Sequence, residues 1–577
     1  MKKFLILVTI AASIISLASC KRVYEDIPLG QQIPLELAFD DKDSNGTYAL
    51  RFLLTTYAEA LPGMHNRISG NYLDAATDDA VTSQVNVSDI DRLQTGAYTS
   101  TNLNRDNVWQ QNYVSIRSTT VFATLINRVP LAEKLPDGRP ARPAYRSEAR
   151  FLRAMLYFDL VKRYGGVPIL GDTIRQIDDN IQLPRNSFEE CVNYIVRELD
   201  DIRDSLRVKE DMNSTSYGRV TKGAAMALKA RVLLYAASPL FNGGNIEAGN
   251  ALTGYTTADP NRWKLAADAA KAVIDLDAYS LVPSFQDVFI TQGAPVSSNT
   301  ESIFWRQSGT GIDVEVNNGP VGYSSAGGNG ITSPTQNLVD AFPSINGLPI
   351  SDPASGFDAN NPYANRDQRL KYTVFYNGAL WLNREVQSYL GGADRPGGVQ
   401  QQTKTGYYMR KFMGNFEASP GGVYQRTFHD FIYLRYAEVL LNYAEALNEF
   451  SGPSAGVFDA IRQLRQRAGI EAGADNSYGI PATITQDELR QLIRNERRVE
   501  LAFEEHRYFD IRRWKIAAQV LGVPLRGVNV LRTSQGVLSF DYVTVANAVF
   551  RDPQMYLYPI PYNELIKNPQ MRQNPQW

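Results

Sequence analysis

Cysteine, histidine and net charge are all scarce in this sequence, and each scarcity removes a class of function. The 577 residues include two cysteines and three histidines. Two cysteines cannot form a disulfide scaffold, and three histidines leave little material for a His-rich metal site or a His-dependent catalytic triad. The formal charge is −2, from 59 basic and 61 acidic residues. No nucleic-acid partner is expected, because binders of that class neutralise phosphates with surplus positive charge.

Long hydrophobic runs are also missing, except for one at the N-terminus. Residues 4–18 follow Lys2 and Lys3, are interrupted only by Ser and Thr, and lead to Cys20. This run is shorter than the ~20 residues of a membrane span and is typical of a secretory signal. Its end, Leu17-Ala18-Ser19-Cys20, resembles the bacterial lipobox, in which cleavage precedes a cysteine that becomes lipidated. We predict a lipoprotein signal peptide over residues 1–19, lipidation of Cys20, and a lipid-anchored tether over residues 20–44. An ordinary signal peptide with a coincidental cysteine is the alternative.

Apolar residues in the rest of the chain recur mainly with helical spacing. The spacing predicts helices over residues 48–61, 108–129, 147–164, 188–206, 222–237, 263–276, 433–450, 457–468 and 486–520. Short turns join several of them, and small residues repeat along two, as in tetratricopeptide hairpins, although a strict period of about 34 residues is not visible. We predict a mostly α fold of tetratricopeptide-like helical hairpins. Cys191 falls within one predicted helix and is expected in the core.

Residues 297–427 have a different composition, rich in Gly, Asn, Pro, Ser and Tyr. Short strand-like runs at 302–306 and 371–376 lie between the loops. We predict one domain over residues 45–577, in which this loop-rich insert separates an N-terminal helical half (45–296) from a C-terminal helical half (428–577). Binding residues often lie on loops held by rigid elements, so the insert is the first candidate region for a site.

Catalytic and metal-binding motifs are not recognisable in the sequence. Residues 41–46 begin like an EF-hand loop, but Phe52 stands where a bidentate carboxylate is required, so a solvated helix entry is the better interpretation. Adjacent acidic pairs such as Asp78-Asp79 point in different directions and do not indicate a glycosidase pair. We therefore predict a binding protein that is not an enzyme and has no cofactor. A structural calcium ion stays open, without a site to name.

Several segments, in order along nearly the whole chain after the signal, together resemble the SusD/RagB family of Bacteroidetes outer-membrane lipoproteins. The C-terminal one is Asn495-Glu-Arg-Arg-Val-Glu-Leu-Ala-Phe-Glu-Glu-His-Arg-Tyr-Phe-Asp-Ile-Arg-Arg-Trp514. The others are residues 148–168, 217–225, 230–235, 334–342, 365–370, 405–412, 434–448, 465–469, 558–561 and 573–575. The charges of residues 496–512 recur three or four apart, which predicts local salt bridges that keep the fold rather than a binding site.

The resemblance implies a SusD-like α/α superhelix and a lipoprotein anchored at the surface of the cell outer membrane. It also implies a SusC-like TonB-dependent transporter as partner and a glycan or other nutrient as cargo. Family motifs do not carry the ligand residues, so candidates come from chemistry. A sugar presents apolar C–H faces and a rim of hydroxyls, which favours exposed aromatic rings beside polar side chains. The candidates are Tyr323 and Trp381 in the insert, and His65, Tyr72, Tyr98, Arg67 and Asn102 in the N-terminal loops.

Glycan binding is the leading hypothesis, and three others stay open. Peptide cargo would be favoured by a site richer in Asn and Arg than in stacked aromatics. A surface glycosidase would release reducing ends from its substrate. A purely structural lipoprotein would bind no cargo at all.

Overall fold

The computed structural model describes residues 34–84, 89–175, 179, 181–289, 299–323, 328–395, 402–414 and 424–577. The mostly α fold is confirmed, with seventeen α-helices in these ranges. The first eight helices are α1 (Leu35–Ala38), α2 (Thr47–Ala60), α3 (Asp89–Gln94), α4 (Trp109–Leu125), α5 (Ala141–Tyr164), α6 (Phe188–Ile202), α7 (Lys222–Ala237) and α8 (Asn261–Ile274). Three short ones follow: α9 (Asp313–Asn318), α10 (Gln336–Ala341) and α11 (Gln368–Thr373). The last six are α12 (Tyr436–Ser451), α13 (Ala455–Arg467), α14 (Gln486–Glu500), α15 (Arg507–Arg513), α16 (Ala517–Leu521) and α17 (Tyr562–Lys567).

Strands in the described ranges form two-stranded antiparallel pairs. The strands are β1 (Ala80–Thr82), β2 (Ser302–Arg306), β3 (Thr310–Gly311), β4 (Thr332–Pro334), β5 (Val374–Phe375), β6 (Leu380–Trp381), β7 (Arg384–Glu385), β8 (Tyr408–Met409), β9 (Thr427–Phe428), β10 (Phe431–Arg435), β11 (Leu525–Arg532) and β12 (Leu538–Ala546). The pairs are β1–β4, β2–β10, β3–β9, β5–β8, β6–β7 and β11–β12. Short strands therefore do occur in the insert, as predicted, and they connect it to both flanking segments.

Successive helices pack against one another and build the scaffold. Contacts join α4 to α5, α5 to α6, α6 to α7, and α7 to α8. Helix α12 then packs against α7 and α8 from the first half and against α13 and α14 from its own half. Ala437, Ala444 and Ala446 are buried along α12, and small side chains of this kind allow neighbouring helices to approach closely.

The predicted helix over residues 486–520 is wrong as one continuous element, because the chain breaks it twice. The φ angles are +63° at Phe503 and +62° at Glu505, between α14 and α15, and +57° at Lys515, before α16. Left-handed residues cannot continue a right-handed helix, so the direction of the chain changes at each break. Residues 433–450 likewise begin as strand β10, and residues 371–376 begin as helix α11 rather than as a strand.

The N-terminal boundary of folded structure lies earlier than predicted. Helix α1 falls inside the segment expected to be tether, and Phe39 after it is buried. The Phe39 ring packs edge-on against Phe52 and Phe122, with ring centroids 5.4 and 5.9 Å apart. The predicted tether over residues 20–44 is therefore wrong for residues 35–39, which belong to the folded core. Cys20 and the predicted signal peptide lie outside the described residues.

The interpretation of residues 41–46 as a helix entry is confirmed. The Asp43 carboxylate accepts hydrogen bonds from the backbone N–H groups of Asn45, Gly46 and Thr47, at 3.1, 3.0 and 2.8 Å. These groups lie where α2 begins and would otherwise lack acceptors. The Asp43 side chain thus caps the N-terminus of α2.

The charged residues of 496–512 keep the fold mainly through tertiary contacts, although Asp510 also makes a local salt bridge with Arg513 at 2.8 Å. Glu500, on α14, binds Arg369 at 2.9 Å and Arg435 at 2.7 Å, and both partners lie more than sixty residues earlier. Arg507 binds Asp78 through two contacts of 2.8 Å. The prediction of local salt bridges is therefore wrong for Glu500 and Arg507, since their partners lie on other elements.

Two further sequence expectations have clear outcomes. Cys191 is buried as predicted, and burial raises the pKa of its thiol to about 12, so it behaves as a core residue. Among the helices of the described ranges, none combines the length and the apolar character that crossing a membrane requires.

Candidate functional site

Trp381 and Tyr323, the two candidates in the insert, do not present the exposed rings that were expected. Trp381 is 1% exposed and Tyr323 is 4% exposed. The Trp381 ring lies 5.3 Å from Tyr323, 4.9 Å from Phe375 and 5.4 Å from Tyr424, and its indole N–H donates to the Gly414 carbonyl at 3.2 Å. The expectation of exposed platforms is wrong here because the insert, although rich in loops, packs these aromatics into the main hydrophobic core.

Tyr98 and Asn102 stabilise a different part of the molecule. Tyr98 is buried and stacks on Trp577 with a centroid distance of 5.2 Å, so it ties the N-terminal loops to the end of the chain. Asn102 is exposed, and its side-chain oxygen accepts a hydrogen bond from Arg92 at 3.1 Å. The structure does not bring this pair to the cleft described below.

Arg67 and Tyr72 have structural roles beside that cleft. Arg67 binds Glu505 with two contacts of 2.5 and 2.6 Å and binds Asp106 at 2.7 Å, so its charge is fully used. Tyr72 is buried, stacks on Phe412, and its hydroxyl lies 2.7 Å from Nδ1 of His65. These contacts hold the N-terminal loop in place. Of the predicted residues, His65 lines the cleft described next.

The N-terminal loop and the insert meet at a cleft of about 350 Å³, which we call the loop cleft. Its lining residues are Gly63, Met64, His65, Asn66, Arg306, Ser308, Gly309, Gly311, Asp313, Val314, Asn317, His429 and Phe431. The β2–β10 pair aligns Arg306 with Phe431 and so joins the insert to the C-terminal half at this point. This volume lies within the range of small-molecule pockets.

Two opposite charges in the loop cleft have no partner among the described residues. Within the described ranges, neither the Arg306 guanidinium nor the Asp313 carboxylate makes a hydrogen bond or an ion pair. Arg306 lies at the end of β2, beside Gly63, where a Cβ would come within 2.6 Å of its Nη1 atom. A glycine at position 63 therefore leaves room for this guanidinium. The cleft offers both a charged donor and a charged acceptor to a ligand.

The remaining polar groups of the loop cleft are held in place. Nε2 of His429 lies 3.0 Å from the buried carboxylate of Glu315, which also accepts a hydrogen bond from the Gly414 N–H at 2.9 Å. Burial lowers the pKa of His65 to about 3, so this ring is neutral at pH 7. Phe431 is 5% exposed, so the described lining of the cleft has no open aromatic platform.

A second groove of about 590 Å³ runs along α4 and includes the rings of Trp109 and Tyr113. Two of its polar side chains are used by the protein itself, whereas the charged ends of Glu564 and Lys567 make no hydrogen bond or ion pair within the described ranges. The Tyr113 hydroxyl donates to the Pro168 carbonyl at 2.9 Å, and Arg117 donates to the Arg175 carbonyl at 3.2 Å. Trp109, at the start of α4, is buried. Uncommitted charges therefore occur in both grooves, but the loop cleft lies in the insert that the sequence favours and contains the predicted residue His65, so we take it as the candidate site.

Residues that hold a metal are not grouped in the part of the chain that the structure describes. No three His, Cys, Asp or Glu side chains come together there in an arrangement that could bind an ion. The absence of a cofactor stays a prediction, and the question of a structural calcium ion stays open.

Sequence reasoning missed most of the cleft, because its residues have ordinary local contexts. Arg306 lies at the end of a strand that the sequence does predict, and Asp313 begins a six-residue helix. The signal that points to Arg306 and Asp313 is their position in the sequence. Both side chains lie in the insert, which was the region selected, but aromatic residues were chosen there instead of charged ones.

Two family models match the chain in its two parts. A model of the SusD family matches residues 294–577, and a model described as starch-binding, associating with the outer membrane, matches residues 44–234. The chain belongs to the SusD family. Its relatives include SusD-like protein P2 of Formosa agariphila, which is 26% identical over 81% of this chain and 79% of that protein.

Solved structures of SusD proteins share the fold. A SusD-like protein from Bacteroides fragilis is 27% identical, with a TM-score of 0.75, over 95% of this chain and 100% of that one. A SusD-like carbohydrate-binding protein from the same species is 24% identical, with a TM-score of 0.71, over 92% and 99% of the two chains. At that identity the likeness concerns the fold alone. The resemblance found in the sequence motifs is confirmed.

Proposed function

We propose that this SusD protein binds a glycan in the loop cleft and delivers it to a SusC-like TonB-dependent transporter. It would do so from a lipid anchor at Cys20, on the outer face of the outer membrane. The observation that carries the proposal is the uncommitted pair of Arg306 and Asp313, at the junction of the two loop regions. Family membership supports it, since one matching model describes starch binding and outer-membrane association.

Sugar hydroxyls match this pair chemically, because each hydroxyl both donates and accepts hydrogen bonds. The guanidinium can donate to hydroxyl oxygens, and the carboxylate can accept from hydroxyl protons. Charge-assisted hydrogen bonds of this kind contribute about 1.5–3 kcal/mol each. Because the two charges are opposite, the pair favours a ligand without net charge.

We propose a binding role without catalysis. A glycosidase needs two carboxylates that are free to act on the substrate. Asp313 is free, but Glu315, two residues later, is buried and engaged by His429 and the Gly414 N–H. Among the described lining residues, Asp313 therefore provides a single carboxylate that is free to act on a substrate.

Peptide cargo is the second candidate, and one observation favours it. Asn66, Asn317 and Arg306 line the loop cleft, whereas its phenylalanine is buried. Side chains of these polar types can bind peptide carbonyl and amide groups as readily as hydroxyls.

Calorimetric titration of the full-length protein in detergent distinguishes the two cargoes. We expect one class of neutral oligosaccharide to bind, and Arg306→Gln and Asp313→Asn each to weaken that binding by about ten- to a hundredfold. Arg197→Gln, which removes an exposed charge on α6, is the matched control and should change nothing.

Other outcomes would redirect the proposal. Heat from peptides but from no glycan would establish the peptide cargo. Reducing ends released during incubation would show a glycosidase. Glycan binding that neither Arg306→Gln nor Asp313→Asn weakens would remove the loop cleft as the site.

A further inference from the structure

A third cleft, of about 550 Å³, lies between α14, α15, α16 and the start of β11. We call it the arginine cleft, because its lining includes four arginines against two aspartates. These residues are Arg494, Arg498, Arg507, Arg526, Asp78 and Asp340. None of them lines the loop cleft, so the two clefts are separate sites.

Three of the four arginines are neutralised within the protein. Asp78 binds both Arg498 and Arg507 at 2.8 Å, and Asp340 binds Arg526 at 2.6 Å. A further carboxylate, on Asp79, binds Arg498 at 2.6 Å. These contacts account for the charges of three arginines.

Arg494 is different. Among the described residues, none makes a hydrogen bond or an ion pair with its guanidinium, and its Nε atom is buried without a partner. The nearby carboxylates are engaged elsewhere, because Glu445 binds Arg513 and Glu449 binds Arg490. An uncompensated positive charge therefore remains in the arginine cleft.

The surroundings of Arg494 pre-organise it for a ligand. Its guanidinium lies over the Trp514 ring, 4.9 Å from the ring centroid, and the indole N–H of Trp514 is itself held by Glu445 at 2.7 Å. Burial lowers the pKa of Arg494, which reflects the cost of holding this cation away from water. An incoming anion would offset that cost, since a partly desolvated charge gains most from a counter-ion.

Part of the lining of the arginine cleft, which we call its apolar wall, consists of hydrophobic side chains. It carries Ile516, Val520 and Val523, and Val523 is 50% exposed. A bare inorganic ion would leave this wall in contact with water. A ligand with an oxyanion at one end and a less polar body would cover both Arg494 and the apolar wall.

We propose that the arginine cleft binds a small ligand that carries a carboxylate or a sulfate group, with that group on the Arg494 guanidinium. An acidic sugar or an acidic amino-acid derivative could supply this chemistry. Arginine suits the role because its planar fork donates to two oxygens at once while its face stays on the indole. The site is independent of the loop cleft and of the cargo bound there.

Calorimetry with defined probes tests the proposal. The anionic probes are glucuronate, glucose 6-sulfate and N-acetylaspartate, and glucose is the neutral probe. We expect at least one anionic probe to bind more tightly than glucose, and added salt to weaken it. Which probe binds separates acidic sugars from acidic amino-acid derivatives.

Variants assign the binding to the cleft. Arg494→Gln should weaken the anionic probe at least tenfold, whereas Arg197→Gln and Arg306→Gln should leave it unchanged. Arg494→Lys keeps the charge but loses the planar fork, so an intermediate loss is expected. If Arg494→Gln does not fold, as judged by its thermal melting, the Lys variant supplies the test.

Three results would overturn the proposal. They are no binding of any anionic probe at millimolar concentration, equal binding of glucose, and unchanged binding by the Arg494 variants. None of these results bears on the proposal that the loop cleft binds a glycan, because that proposal is tested by Arg306→Gln with neutral oligosaccharides.

Discussion

Glu445 provides the sharpest test of how the buried charges hold the helices together. Its carboxylate, on α12, binds the Arg513 guanidinium at 2.5 and 2.7 Å and accepts the Trp514 indole N–H at 2.7 Å. Burial alone would raise the pKa of Glu445, but Arg513 outweighs it and lowers the pKa to about 2. The contacts join α12 to α15, which lie far apart in the sequence.

The magnitude follows from that pKa. A fall from the ordinary value of 4.5 to about 2 corresponds, at ~1.36 kcal/mol per pKa unit, to about 3 kcal/mol of stability at pH 7. Glu445→Gln keeps the shape and an acceptor for the indole but removes the charge. We therefore expect it to lower the free energy of unfolding by about 3 kcal/mol, in line with the ~3–5 kcal/mol for breaking a buried ion pair.

The direction of the pKa shift determines how the stabilisation by Glu445 changes with pH. A carboxyl whose pKa is lower in the folded state stabilises the protein above its unfolded pKa, and this contribution is lost as the pH falls through the folded value. The difference between wild type and Glu445→Gln should thus be full at pH 7, about half at pH 3, and small near pH 2.

Urea denaturation, followed by circular dichroism at several pH values, measures this difference. Glu189→Gln, an exposed change on α6, is the control and should alter stability by less than about 0.5 kcal/mol. A loss for Glu445→Gln that stays constant between pH 7 and pH 3 would refute the reasoning, because it would assign the effect to packing instead of charge.

Three further changes test other parts of the structure. Trp381→Ala truncates a core side chain and should destabilise the protein by about 3–5 kcal/mol. Leu380→Ala, at the exposed neighbouring position, should cost less than about 0.5 kcal/mol. Equal thermal melting of the two variants would contradict this prediction. Gly165→Ala should cost at least about 2 kcal/mol in urea denaturation, because φ is +76° and a Cβ would lie 2.2 Å from the Leu252 carbonyl oxygen. Gly171→Ala, with positive φ but open space around it, should cost less, and the reverse order would show that the contact is unimportant. Cys20→Ala should move the protein from the membrane fraction to the soluble fraction while Cys191→Ala does not, and retention of Cys20→Ala would disprove the lipid anchor.

Local periodicity was enough to predict the helical scaffold. Helix α7 begins and ends at the predicted residues, and α2 and α13 lie within two residues of prediction, because their apolar spacing depends on near neighbours alone. Family motifs were equally readable, since they are local strings. The break between α14 and α15 could not be predicted from the sequence. Non-glycine residues adopt positive φ angles there, and their side chains do not indicate this conformation.

The tertiary structure decides which side chains are candidates for binding. Composition places Trp381 in a loop-rich segment, yet whether a loop residue is exposed depends on what packs over it, here Tyr323, Phe375 and Tyr424. Arg306 and Arg494 look like other arginines in the sequence. They differ because most buried arginines of the described ranges bind a carboxylate or a backbone carbonyl of another element, whereas the half-buried guanidiniums of these two bind neither. A charge is paired or unpaired through contacts between distant segments, which local sequence does not encode.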